Sequence, residues 1–258
     1  MNYNSRRFIT ISDSTIQSNN STHFISRYSP SADREPAGEK KLPLLMQLNE
    51  RLSATFSHFS ITSLNQMQES ASAAILSDND ILLVSPTGSG KTLGFLLPVW
   101  QLLKEDTRGV QCLILVPSRE LAIQIEQVWK KMATGYKVSC CYGGHDMQTE
   151  IQNLTEPPAL LIGTPGRIGD HIKRATFDVV SISTLILDEF DKSLSLGFEE
   201  EMSYIIASLP NIRKRVLVSA TAGITIPAFT GIGKATILDF IEKHESAAVL
   251  SLKLVLST

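Results

Sequence analysis

Seven short apolar runs alternate with longer amphipathic segments between residues 81 and 240, and this rhythm constrains the fold more than any other feature of the chain. The runs occupy residues 81–84, 112–116, 138–142, 160–162, 185–187, 216–218 and 237–240. Five of them are apolar throughout rather than alternating, as strands are when helices cover both faces of a parallel sheet, and Ser139 and Asp239 interrupt the other two. The pattern predicts a doubly wound α/β domain: a mostly parallel, twisted sheet of about seven strands with helices on both faces. Ligands of such sheets bind beyond the carboxyl ends of the strands, so chemistry is to be sought just after each run.

The 258 residues, 43% hydrophobic, suffice for one full-sized α/β domain and not for two. Residues 1–41 are dominated by Ser, Thr, Asn and charged side chains without an apolar period, and read as a disordered or poorly ordered tail. The first thirty residues are Ser-rich with a few arginines, like an organellar transit peptide, but Asp13 and the many asparagines suit a plain tail better. The domain is expected over residues 42–250. It opens with two helical patterns, one at Leu44, Leu45, Leu48 and Leu52, the other at Leu64, Met67, Ala71, Ala74 and Ile75.

The formal net charge of −2 provides no general basic field, so any nucleic acid must be held by a local cleft. Cys112, Cys140 and Cys141 are too few and wrongly spaced for a zinc site, and read as reduced core residues of an intracellular protein. No apolar stretch approaches the roughly 20 residues of a membrane span, and no secretory segment is evident. A cytoplasmic protein without membrane contact is expected.

Directly after the first run comes Ser85-Pro86-Thr87-Gly88-Ser89-Gly90-Lys91-Thr92, followed by a helical pattern at Leu93, Leu96 and Leu97. This is a Walker A loop in a strand–loop–helix context. Gly88 and Gly90 let the backbone curl with its N–H groups inward, the helix N-terminus adds positive potential, and Lys91 offers a charge to the β- and γ-phosphates. Thr92 supplies a hydroxyl to Mg²⁺. At the end of another run, Asp188 and Glu189 form an acidic pair where a hydrated Mg²⁺ would face that loop, Asp188 holding the metal through water and Glu189 orienting or deprotonating the attacking water.

Seven elements then fall in one order: Gln68 at the head of a helix; the loop at 85–92; Pro117-Ser118-Arg119-Glu120-Leu121-Ala122; Gly143-Gly144; Thr164-Pro165-Gly166-Arg167; Asp188-Glu189-Phe190-Asp191; and Ser219-Ala220-Thr221. In this order they resemble the DEAD-box helicases of superfamily 2, with the likeness running over residues 42–258. The resemblance implies the first RecA-like domain of an ATP-dependent RNA helicase, with ATP and Mg²⁺ as cofactors. It implies that Gln68 reads the adenine edge, and that Pro117, Ser118, Arg119, Gly143, Gly144, Thr164, Pro165, Gly166 and Arg167 line a track for the sugar-phosphate backbone of single-stranded or duplex RNA. It further implies that Ser219 and Thr221 bond Asp191 and so couple the two sites.

Three features depart from the family pattern. Ser85 stands where Gly or Ala is usual, no aromatic precedes the domain around Leu42 and Pro43 to stack on adenine, and Phe190 replaces an alanine. Phe190 is expected to pack inward, leaving the carboxylates in place. The family also requires a second RecA-like domain carrying an arginine finger. Only about one helix and one strand are expected after residue 221, with residues 251–258 as the start of a linker, so the chain alone should bind nucleotide weakly and hardly hydrolyse it. Two alternatives remain: a DNA-directed helicase of the same superfamily, and a nucleotide-gated RNA-binding module without enzymatic activity. The intact Lys91, Asp188 and Glu189 speak against the second.

Overall fold

The apolar runs do become parallel strands, and the helices between them return the chain across alternate faces. The computed structural model describes residues 26–28 and 50–241. The helical pattern at Leu44, Leu45 and Leu48, the stretch around Leu42 and Pro43, and residues 251–258 lie outside the described residues. The strands are β1 (Ser26–Tyr28), β2 (Asp80–Val84), β3 (Cys112–Leu115), β4 (Val138–Cys141), β5 (Leu160–Gly163), β6 (Thr184–Leu187), β7 (Lys214–Ser219) and β8 (Ala235–Asp239). The helices are α1 (Glu50–Phe59), α2 (Gln66–Ile75), α3 (Lys91–Leu102), α4 (Arg119–Met132), α5 (Met147–Leu154), α6 (Pro165–Lys173), α7 (Phe190–Ser195) and α8 (Glu199–Ala207).

All described pairings are parallel, in the order β1-β8-β2-β7-β6-β3-β5-β4. Alternate residues of each strand feed two cores. Ile81, Leu83, Ile114, Ile162 and Val216 pack with Phe95, Ile125 and Trp129 under α1 to α4. Leu82, Val84, Leu113, Leu115 and Leu185 pack with Ile168, Phe190 and Ile205 under α5 to α8. Residues of β3, β5 and β6 are buried along their whole length, which is why their sequence shows no alternation. Trp129 is fully buried, yet its indole N–H donates to the Tyr136 carbonyl at 3.2 Å, so the large apolar ring adds to the core without an orphaned donor.

Two expectations are corrected. Among the described residues the sheet has eight strands, because Ser26–Tyr28, inside the segment read as a tail, pairs with β8 through Ser26–Thr236, Arg27–Ile237 and Tyr28–Leu238. An outer strand presents a row of backbone groups that a short extended segment can satisfy whatever its own apolar pattern. The crossover from β7 to β8 holds, in place of the expected helix, a single 3₁₀ turn at Ala228–Thr230. Gly223 and Gly231 have φ of +74° and +69°, and Ile224, Thr225, Ile226 and Pro227 between them disfavour helix. Among the described residues, no helix is long and apolar enough to cross a membrane.

Candidate nucleotide site and nucleic-acid edge

Because the strands run parallel, the residues that follow them share one edge of the sheet. Across that edge, in the order β2, β7, β6, β3, β5, β4, lie Ser85, Ala220, Asp188, Val116, Thr164 and Tyr142. The sequence motifs are therefore neighbours in space: the phosphate loop, Thr221 and the acidic pair on one side, the three expected backbone-binding stretches on the other.

The loop between β2 and α3 is left-handed at Gly88 (φ +79°) and Gly90 (φ +85°), which curls it back on the helix start. Ser85 is fully buried, its N–H donates to the Ser219 carbonyl at 3.0 Å, and its hydroxyl bonds the Ser89 hydroxyl at 2.8 Å. Serine in place of Gly or Ala thus braces the loop from within. The Lys91 ammonium donates to the carbonyls of Ser85 and Pro86 at 2.7 and 3.0 Å, so it lies across the mouth of the loop. Burial pulls Lys91 below the usual lysine range, and the charges of Asp188, Glu189 and Asp191 oppose that pull. Strands β2 and β6 are separated only by β7, roughly 10 Å in all, a gap a lysine side chain largely spans. Lysine and carboxylates thus share one electrostatic site.

Asp188 is 3% exposed. Burial, then the adjacent Glu189 charge, push its carboxyl up to about 7, against the pull of Lys91 and of the Glu189 N–H, which donates to Oδ1 at 3.0 Å. Glu189 adopts φ +47°, a left-handed turn that costs a residue with a Cβ about 1 kcal/mol or more, and it swings the chain from β6 directly into α7. Its carboxylate lies 3.5 Å from Lys192. Phe190 packs inward as expected, 1% exposed in the second core, and its bulk does not enter the site.

The coupling residues divide. The Thr221 hydroxyl donates to Asp191 Oδ2 at 2.9 Å, while Asp191 Oδ1 is buried without a partner among the described residues. Ser219 does not reach Asp191, contrary to the resemblance: its hydroxyl accepts from the Thr221 N–H at 2.9 Å, closing its own turn. The Ser219 carbonyl binds the phosphate loop instead.

Gln68 is also more occupied than expected. Its Oε1 accepts from the Asn65 N–H at 3.0 Å and its Nε2 donates to the Gly90 carbonyl at 3.2 Å, while the Asn65 side chain caps α2 and reaches the Ser89 carbonyl. The glutamine thus grips the phosphate loop rather than standing open for a base. Asn65 escaped the sequence reading, although Asn65-x-x-Gln68 is a legible capping box.

On the other side of the edge, Ser118 caps α4 by accepting from the Leu121 N–H at 3.2 Å, and leaves the exposed Arg119 facing solvent, 3.4 Å from Glu120. Pro165 occupies the first position of α6 after Thr164, where its missing N–H costs nothing. Gly143, Gly144 and Gly166 have no atom within 4 Å of where a Cβ would stand, so backbone is open to approach there. Arg167 turns inward. Its Nε donates to the Tyr142 carbonyl at 3.2 Å and its Nη2 to the His145 carbonyl at 2.5 Å, and it pairs with the buried Glu150 at 3.4 Å. Neither Glu150 nor its partner His171 belongs to any recognised motif. The three cysteines are free thiols. Cys112 and Cys141 are buried, and burial pushes the Cys141 thiol up to about 12.

The comparisons with known proteins agree with this architecture. The chain is 39% identical over 150 residues to the ATP-dependent RNA helicase DeaD of Escherichia coli (strain K12), which covers 57% of this chain and 24% of that protein. It is 38% identical over 157 residues to the ATP-dependent RNA helicase CshA of Limosilactobacillus reuteri, covering 60% of this chain and 32% of that protein. The chain thus spans about a quarter to a third of these relatives. Among solved structures, a DEAD box protein from the hyperthermophile Methanococcus jannaschii superposes with a TM-score of 0.68 at 29% identity, over 74% of this chain and 54% of that one. The sheet is therefore RecA-like. The model of the DEAD/DEAH box helicase family matches residues 65–237, two thirds of the sequence, and the chain belongs to that family.

Proposed function

We propose that this chain is the ATP-binding half of an ATP-dependent RNA helicase, holding Mg-ATP at the loop between β2 and α3 and one face of an RNA backbone along the ends of β3, β5 and β4. The observation that carries this reading is the strand order, which sets the loop bearing Lys91 after β2 and the pair Asp188 and Glu189 after β6 at one sheet edge, separated only by β7. Lys91 exchanges the loop carbonyls for the terminal phosphates of ATP. Glu189, half-buried beside Lys192, holds the attacking water in line and takes its proton. Asp188 and the Thr92 hydroxyl are the hard oxygen donors that a magnesium ion requires, and a site in which Asp188 is raised by burial and by a neighbouring carboxylate favours a cation. Bound there, Mg²⁺ would neutralise charge on the phosphates. The Thr221–Asp191 bond ties the turn after β7 to the start of α7, beside the acidic pair.

The cleft is completed by a second RecA-like domain that supplies an arginine to the transferred phosphate and the opposite wall of the RNA track. Strand-end contacts to sugar and phosphate position RNA without reading its sequence. The protein works in the cytoplasm on this reading, on local duplexes or RNA–protein complexes. The test is ATP hydrolysis by a polypeptide carrying both halves, with RNA and DNA of one sequence as activators. RNA alone should stimulate, and Glu189→Gln should remove the stimulated rate by a factor of at least about 100. Equal stimulation by DNA would favour the DNA-directed alternative, and no hydrolysis at all would favour the binding module.

A further inference from the structure

Gly143 and Gly144 form an exposed turn with no side chains of their own to hold it, and Gly144 has φ +83°. What fixes that turn lies beneath it. Glu150, 1% exposed at the inner face of α5, accepts the Tyr142 N–H at 3.2 Å on Oε1, and its Oε2 lies 2.8 Å from His171 Nε2 and 3.4 Å from Arg167 Nε. Arg167 in turn donates to the carbonyls on both sides of the glycine pair, Tyr142 and His145. His171, fully buried on α6, is held on its other nitrogen by the Thr176 hydroxyl at 2.8 Å. Both backbone polar groups of Tyr142 are thereby taken by two side chains that also pair with each other.

The arginine side chains of the two motifs differ accordingly. Arg119 is 56% exposed and Arg167 only 13%. A phosphate seeking Arg167 would compete with a carboxylate from which water is excluded, and stripping that carboxylate of its partner is costly. Cys141, Glu150 and His171 bring ligand-type atoms within 4.8 Å of one another, but the guanidinium already supplies the countercharge to Glu150 and the thiol stays protonated, so the cluster is a brace rather than a metal centre.

We propose that Arg167 and Glu150 are positioning residues for RNA, presenting the Gly143-Gly144 backbone to the nucleic acid rather than gripping a phosphate. The proposal rests on the reading of the strand-end edge as an RNA track. It separates two roles that a sequence motif runs together: Arg119 meets the ligand, Arg167 shapes the surface that meets it.

The experiment uses the 258-residue chain, a fluorescent single-stranded oligouridylate, and amide hydrogen exchange. Arg167→Met is expected to speed exchange at Tyr142, whose N–H the Glu150 carboxylate holds, while leaving residues 85–92 unchanged. It should weaken oligouridylate binding about tenfold, the worth of one net hydrogen bond, with an unchanged salt dependence. Glu150→Gln, which keeps the volume and can still accept the Tyr142 N–H, should show both effects more weakly, and serves if Arg167→Met fails to fold. The double variant should bind no worse than Arg167→Met. Arg119→Ala is the contrast, expected to lower the salt slope by about 0.7 with no change in exchange. Unchanged exchange in Arg167→Met and Glu150→Gln, or a slope lowered by about 0.7 in Arg167→Met, would overturn the positioning role. If instead exchange responds as expected but the wild-type chain and Arg119→Ala alike fail to bind the oligouridylate, the RNA track itself is wrong and the proposal falls with it.

Discussion

Asp188 is a single residue whose burial costs the domain stability. Its carboxyl is buried next to Glu189, and the folded value of about 7 stands above the ordinary 3.8. Between those values the folded chain binds a proton that the unfolded chain has lost, so stability from this group is present at low pH and is lost as pH rises through about 7. Asp188→Asn keeps an acceptor for the Glu189 N–H and removes the buried charge. In the absence of nucleotide and magnesium the variant should therefore melt higher than wild type, its advantage growing by about 2 kcal/mol between pH 5 and pH 8. Thermal melts at the two pH values check this, and a variant that melts lower at pH 8 would show that the buried charge is better compensated than the geometry indicates. The same substitution should weaken magnesium-dependent ATP binding at least about tenfold, separating stability from function. Phe190 makes the complementary point, since its ring fills core volume and leaves the carboxylates beside it untouched.

Elements were legible where their cause was local. The apolar runs became seven strands, most plainly β3, β5 and β6, which are buried along their whole length, and the phosphate loop and acidic pair could be placed because each follows such a run. Partnerships across elements were not. Glu150 on α5, His171 on α6 and Tyr142 after β4 are brought together only by the pairing of β4 with β5, and no local spacing announces it. Arg167 was placed correctly at a strand end, but the direction of its guanidinium depends on a carboxylate seventeen positions earlier. Likewise β1 owes its order to the open edge of β8, and the missing crossover helix to glycines whose effect outweighs the expectation of alternation. The joint between β4, β5 and α6 carries its own prediction. A Cβ on Gly163 would collide with the Cys141 carbonyl and with the Ile168 side chain at 2.6 Å. Gly163→Ala should destabilise the domain by about 1–3 kcal/mol, read as a lowered denaturant midpoint, and should also disturb the Gly143-Gly144 turn that this joint supports. An unchanged midpoint would mean that β5 shifts freely, and that the edge is not rigid.

At the scale of the whole molecule, strand order turns a linear set of motifs into a surface. The parallel sheet places the proposed nucleotide residues at the ends of β2, β7 and β6 and the stretches proposed to meet RNA at the ends of β3, β5 and β4, with the Thr221–Asp191 bond on the former side of that boundary. On the proposed reading, a second domain closing over this edge would meet both halves at once. The proposed function turns on where ATP binds. A crystal structure of the chain with Mg²⁺ and a non-hydrolysable ATP analogue should show the γ-phosphate between the Lys91 ammonium and the Glu189 carboxylate, with Lys91 released from the Ser85 and Pro86 carbonyls. A nucleotide bound away from the 85–92 loop, or a γ-phosphate remote from Asp188 and Glu189, would contradict it.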